Sequence, residues 1–137
     1  MELAPYLNFS GNCEEAFQFY AKVLNGKITF IQHFGDSPAA DRVGPNFAKK
    51  VMHATLDFNG RHLYGCDAPP DMQSEMKGFA ISLETSSPEE SEKLFQALAE
   101  GGAVNMPFQK TFWSSGFGML KDKYGVPWMV NTYQPQS

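Results

Sequence analysis

No run of apolar residues in this 137-residue chain approaches the length of a membrane-spanning helix, which excludes a helical span. Positive charge is scarce. The net charge is −4, and the densest basic spot is Lys49-Lys50. Two lysines make no surface able to track phosphates, so nucleic acid is not an expected partner. Cysteine is almost absent, with only Cys13 and Cys66, far apart in the chain. The opening Met1-Glu2-Leu3-Ala4-Pro5 has neither the basic nor the apolar region of a secretory leader. Two free thiols and a cytoplasmic location are therefore expected. An apolar share of 42% and an aromatic share of 14% suffice for a core without disulfides or structural metal, and the length suits a single domain.

What is present is a repeat. Gly11-Asn12-Cys13-Glu14-Glu15 aligns with Ser86-Ser87-Pro88-Glu89-Glu90, and the bulky pair Phe19-Tyr20 then meets Leu94-Phe95 and Gly26 meets Gly101. A second match follows in the same order, Asp57-Phe58-Asn59-Gly60 with Asp122-Lys123-Tyr124-Gly125. The first copy is longer between the two matches, which fits a loop over 35–50 rich in Gly, Pro and Asp. Two matches in the same order mark a duplicated module.

Each copy reads as strand, helix, three strands. In the first, residues 3–9 form a strand. Asn12 caps a helix, Glu15 completes a capping box, and Ala16, Phe19, Tyr20 and Val23 form its apolar stripe up to Gly26. Strands over 27–34, 51–58 and 61–66 follow, the last two joined at the hairpin dipeptide Asn59-Gly60. In the second, 78–85 is a strand, Ser87 caps, Pro88 opens the helix and Glu90 completes the box. That helix packs through Leu94, Phe95 and Leu98 and stops at Gly101-Gly102. Strands are expected near 103–109, 116–122 and 126–133.

Particular residues carry a resemblance. They are Pro5-Tyr6-Leu7-Asn8-Phe9 with Gly11 to Ala16, Met52-His53-Ala54, Phe112-Trp113 with Phe117-Gly118-Met119, and Asp122 to Val130. With the doubled βαβββ order, they make the chain resemble the glyoxalase/bleomycin-resistance/dioxygenase (vicinal oxygen chelate) superfamily, and within it the PhnB-like branch. The resemblance implies an α+β fold of two modules, about 1–70 and 76–134, in one glyoxalase-like domain. Each sheet would curl into a half-barrel, and two would face each other around a cup, within one chain or across a homodimer.

In metal-using members one ligand comes from the first strand and one from the last strand of each module. Counted from the helix aromatics and the hairpin aspartates, those positions are Pro5, Tyr64, Ala80 and Met129. Pro and Ala offer no donor, neutral Tyr is a poor ligand, and Met is soft. A slip of one residue gives Tyr6, Leu63, Ile81 and Trp128, which are no better. No metal and no other cofactor is expected.

Strand alternation names the lining of the cup. Leu7, Phe9, Ser82 and Glu84 follow from positions 5 and 80, and His62, Cys66, Pro127 and Asn131 from 64 and 129. His53 and Thr55 join across the first hairpin, and Leu120 and Gly118 across the second. The ligand-binding candidates are Phe9, His53, Thr55, Tyr64, Cys66, Ser82, Glu84, Trp113 and Met129. His53 is the candidate general base, with Glu84 beside it, or else a histidine bonded within its sheet. Glu84 is a cation-binding group or a solvated carboxylate, and Cys66 an inert thiol more than a nucleophile. His33 and His62 read as surface or strand-end residues. An unorthodox metal set of His33, His53 and Glu84 has no close-spaced motif behind it. Trp113 reads as a stacking lid or a dimer contact, Trp128 as core beneath the helix, and the 35–50 loop as a cover or a plain connection.

Two functions compete. One is metal-free binding of a small, partly aromatic molecule. The other is a lyase, isomerase or dioxygenase of the superfamily using His53 and Glu84, or metal held in a non-standard way. Methyl transfer, a label that PhnB-like domains sometimes carry, is disfavoured because no glycine-rich strand-to-helix turn is present.

Overall fold

The first strand, β1 (Tyr6–Phe9), alternates exposed and buried residues, with Leu7 and Phe9 turned inward. In the computed structural model, which describes residues 1–133, it leads into α1 (Cys13–Leu24), β2 (Lys27–His33), β3 (Val51–Phe58) and β4 (Arg61–Asp67). A second series follows as β5 (Ile81–Thr85), α2 (Pro88–Ala99), β6 (Ala103–Gln109), β7 (Phe117–Lys121) and β8 (Pro127–Thr132). The chain divides into two units, Met1–Ser74 and Glu75–Ser137. Each unit holds one helix and one four-stranded mixed sheet, ordered β1-β4-β3-β2 and β5-β8-β7-β6. In both, the first strand runs parallel to the last and the other pairs are antiparallel.

In the first unit α1 buries Cys13, Ala16, Phe17, Tyr20 and Leu24, one stripe at three- and four-residue spacing. The expected stripe is corrected by this pattern. Phe19 and Val23 sit at its half-buried margin, while Phe17 is fully buried against Phe9 with ring centroids 6.1 Å apart. A Cβ at Gly65 would lie 2.8 Å from the Phe17 ring, so the bare glycine lets the helix sit close on β4.

The helix start is also corrected. The Asn12 side chain makes no cap. Buried Asp67, at the end of β4, takes that role by accepting the amides of Gly11, Cys13 and Val51, each at 2.9 Å. One carboxylate thus ties the start of α1 to the start of β3 and satisfies helix-end donors that the local sequence leaves open. At the other end Asn25, not Gly26, takes the left-handed conformation with φ 54°. Asn59 and Gly60, both at positive φ, form the expected hairpin.

In the second unit Ser87 Oγ accepts the Glu90 amide at 3.3 Å, as expected. The Ser87 amide, however, donates to Thr85 Oγ1 rather than to Glu90. Ser91, Phe95 and Leu98 form the buried stripe of α2. Trp128 is core, 1% exposed, and its Nε1 donates to Asp122 Oδ2 at 2.8 Å. Asp122 Oδ1 accepts the amides of Tyr124 and Val126 and so shapes the β7–β8 turn.

Candidate functional site

The sheet faces turned away from the helices hold most of the candidate residues. In the first unit β1–β4 register sets Tyr6 beside Tyr64 and Asn8 beside Cys66. Thr55 pairs with Tyr64 and with Phe30, and His53 with Gln32. Residues in register share a face, so these side chains form one surface. Rings dominate it. His53 lies 5.6 Å from both Tyr6 and Tyr64 and 5.9 Å from Phe30.

Hydrogen bonds hold the imidazole on both sides. Tyr6 Oη lies 3.1 Å from Nδ1, and Thr55 Oγ1 lies 3.3 Å from Nε2. Burial, with Cys66 adding to it, pushes the Tyr6 phenol up to about 12. It therefore stays a neutral O–H donor at ordinary pH. The Cys66 thiol donates to Asn8 Oδ1 at 3.2 Å, and burial raises it above the usual thiol range. That environment suits a hydrogen-bonding wall better than a thiolate nucleophile. Cys13, buried in the first turn of α1, is raised further, again chiefly by burial, and both thiols are free.

At the margin of this face Glu2 accepts from the Tyr64 hydroxyl at 3.0 Å and pairs with His62 Nδ1. His62 Nε2 lies 3.3 Å from Asp57. The bond to Glu2 raises His62 above the ordinary histidine value, and the same bond lowers Glu2. His33, at the end of β2, pairs with Glu14 of α1 at 2.7 Å. Together with Gly35, Asp36, Ala48 and Lys49 these two line a depression of about 460 Å³. The 35–50 loop winds through short 3-10 turns at Phe34–Asp36, Ala40–Arg42 and Pro45–Phe47, closed by a Phe34–Phe47 ring contact at 5.2 Å.

In the second unit Ser82 is in register with Met129, and Met129 with Met119. Glu84 is in register with Asn131, and Asn131 with Phe117. Trp113, 52% exposed, meets Phe117 edge-on at 5.5 Å.

The sequence therefore assigns most of one face in each sheet, with two corrections of parity. Leu7 and Phe9 pack toward α1, 1% and 2% exposed, and Tyr6 and Asn8 stand where Pro5 and Phe9 were expected. Leu120 and Gly118 are in register with core Trp128 and Val130, so Met119 and Phe117 replace them on the open face. A Cβ at Gly118 would lie 2.6 Å from Phe95 of α2, which confirms the side it faces. Tyr6, Phe30 and Glu2 were missed. The apolar alternation of Leu7 and Phe9 against amphipathic Tyr6 and Asn8 carried the signal for Tyr6. Nothing in sequence spacing brings Glu2 to His62.

A divalent metal of the kind the resemblance implies needs a set of imidazole and carboxylate donors. At the register positions concerned the first unit offers Tyr6 and Tyr64, and the second offers Met129 beside Ser82. Among the described residues no group of three or more His, Cys, Asp or Glu side chains is placed to hold a metal ion. The donors at those register positions do not fit that site, and His33 is engaged with Glu14.

Two βαβββ units with this strand order define a glyoxalase-type fold. It recurs in a glyoxalase-related enzyme from Fulvimarina pelagi, with a TM-score of 0.63 at 15% identity over 97% of this chain and 88% of that one. The chain belongs to the PhnB-like family whose model, described as 3-demethylubiquinone-9 3-methyltransferase, matches residues 1–131. Protein YjdN of Escherichia coli K12 is 35% identical, the match covering 99% of this chain and 98% of that protein. Protein PA1353 from Pseudomonas aeruginosa superposes with a TM-score of 0.90 at 43% identity, covering 98% and 99% of the two chains. The PhnB protein from Bacillus cereus gives 0.82 at 29%, covering 97% and 100%. No helix among the described residues is long and apolar enough to cross a membrane.

Proposed function

We propose that the protein binds a small, partly aromatic molecule on the open face of the first sheet, without a metal. The observation that carries this is the ring cluster of Tyr6, His53 and Tyr64, with His53 held by Tyr6 and Thr55 on its two nitrogens. Aromatic walls with a few fixed polar groups are what small-molecule sites use to orient a planar ligand. NMR titration with small aromatic fragments should shift resonances of Tyr6, His53 and Tyr64. Shifts confined to other residues overturn the reading. Metal analysis of protein purified without added metal should find no stoichiometric divalent ion, and one that is lost on His53→Ala would sink the metal-free part.

The family description favours a second reading, methyl transfer. The two strand-to-helix junctions bear on it. The first carries one glycine, Gly11 at φ 116°, and the second carries none. Neither makes the glycine-rich turn that seats a dinucleotide-type cofactor. Calorimetry with S-adenosylmethionine is expected to show no binding, and micromolar affinity would restore methyl transfer as the leading reading.

A further inference from the structure

The open face of the second sheet holds a buried acceptor without a partner and an exposed carboxylate beside it. Asn131 Oδ1 is buried and has no hydrogen-bond partner. Its neighbours in register are Glu84 on one side and Phe117 on the other. Glu84 is exposed and enters no ion pair among the described residues. Lys121 lies two positions beyond Met119 on β7, and its Nζ is taken by Glu75 at 3.1 Å. A buried carbonyl oxygen left without a donor is unfavourable, and an unpaired carboxylate beside it adds negative potential. Beside Asn131 stands Phe117, 8% exposed, and the exposed Trp113 meets that ring edge-on at 5.5 Å. A carboxylate, an amide oxygen and aromatic faces are the groups that recognise an ammonium, by charge-assisted hydrogen bonds and cation–π attraction. Met119 and Met129 in the next row supply adaptable apolar contact for the rest of such a molecule.

We infer that Glu84, Asn131, Phe117 and Trp113 form a recognition site for a protonated amine carried on a small apolar or aromatic body. The ammonium donates to Glu84 and to Asn131 Oδ1, and the body lies over the methionines. The inference rests on the proposed reading that open sheet faces bind small molecules, and it adds a second face and the sign of the ligand's charge.

Benzylammonium is the probe, with benzyl alcohol as its neutral counterpart, both titrated by calorimetry against the whole chain. Benzylammonium should bind at least about tenfold tighter than the alcohol, in keeping with an ionic hydrogen bond. Glu84→Gln, at an exposed position that keeps the fold, should remove that preference. Binding should also change the fluorescence of the wild type and not of Trp113→Phe, since the other tryptophan, Trp128, is core. Equal binding of amine and alcohol, no binding of the amine, or an undiminished preference in Glu84→Gln overturns the inference. If Glu84→Gln leaves amine binding intact and Tyr64→Ala abolishes it, the amine occupies the first sheet. That result overturns this site and leaves the proposed function standing. Dependence on Glu84 with no aromatic fragment shifting Tyr6, His53 or Tyr64 does the reverse.

Discussion

Tyr6 Oη lies 3.1 Å from His53 Nδ1, across β4, which runs between their strands. With its phenol pushed up to about 12 by burial, Tyr6 keeps its proton at ordinary pH, and a phenol that gives that proton to Nδ1 leaves the ring proton on Nε2, facing Thr55. Nitrogen-detected NMR of the wild type at pH 8 should show the Nε2–H tautomer. Tyr6→Phe should mix the tautomers and weaken aromatic-fragment binding several-fold while leaving the fold unchanged.

Asp67 is a stability determinant, buried in register with Phe9 on the α1 side of its sheet. Replacing it by Ala leaves the buried amides of Cys13 and Val51, and the half-buried one of Gly11, without their acceptor. Urea denaturation should report a loss of about 3 kcal/mol or more, given 1–3 kcal/mol for each unsatisfied buried group. Asp67→Asn should recover part of this, because one carbonyl oxygen remains.

Gly65→Ala should destabilise by about 1–3 kcal/mol, the usual result of forcing a methyl into a filled core. The new Cβ would stand 2.8 Å from the Phe17 ring. Phe17→Leu in the same chain should relieve much of that strain, so the double mutant should be more stable than the two single losses summed.

The Glu2–His62 pair gives a pH dependence of known sign. His62 is raised above 6.5, so its contribution is complete below that value and is lost as pH rises through the raised one. Glu2 is lowered below 4.5, so its contribution is present above 4.5 and is lost as pH falls through the lowered value. The pair therefore holds the N-terminal segment most firmly between about pH 4.5 and 6.5. Proton NMR should find His62 titrating above 6.5 in the wild type and nearer 6.5 in Glu2→Gln.

Much of the architecture was legible because local signals agreed. Ser87 with Pro88 opened a helix, Asn59-Gly60 closed a hairpin, and the duplicated Glu-Glu and aspartate-turn motifs gave the same strand order twice. Trp128 read as core from its alternation with Met129. The faces were harder. Counting from distant landmarks put Pro5 on the open side, and an error of one residue in a strand turns every side chain over. The same error placed Leu120 and Gly118 opposite to where α2 packs. Asn12 looked like a cap, and the long-range carboxylate of Asp67 displaced it, an outcome local spacing does not encode. The meeting of Tyr6 with His53 depends on three strands in register, so it exists only in the assembled sheet.

The pairing of β1 with β4 has a kinetic side. The strand made first in each unit sits beside the strand made last, so neither sheet can close until its final strand has been synthesised. Long loop closure of this sort slows folding and leaves β1 with an unpaired edge in the meantime. On the ribosome, however, the first unit has all its strands once Asp67 has emerged, well before β5 to β8 exist. Folding of the chain is then a succession of two short closures in place of one long one, and duplication of the module keeps each wait brief.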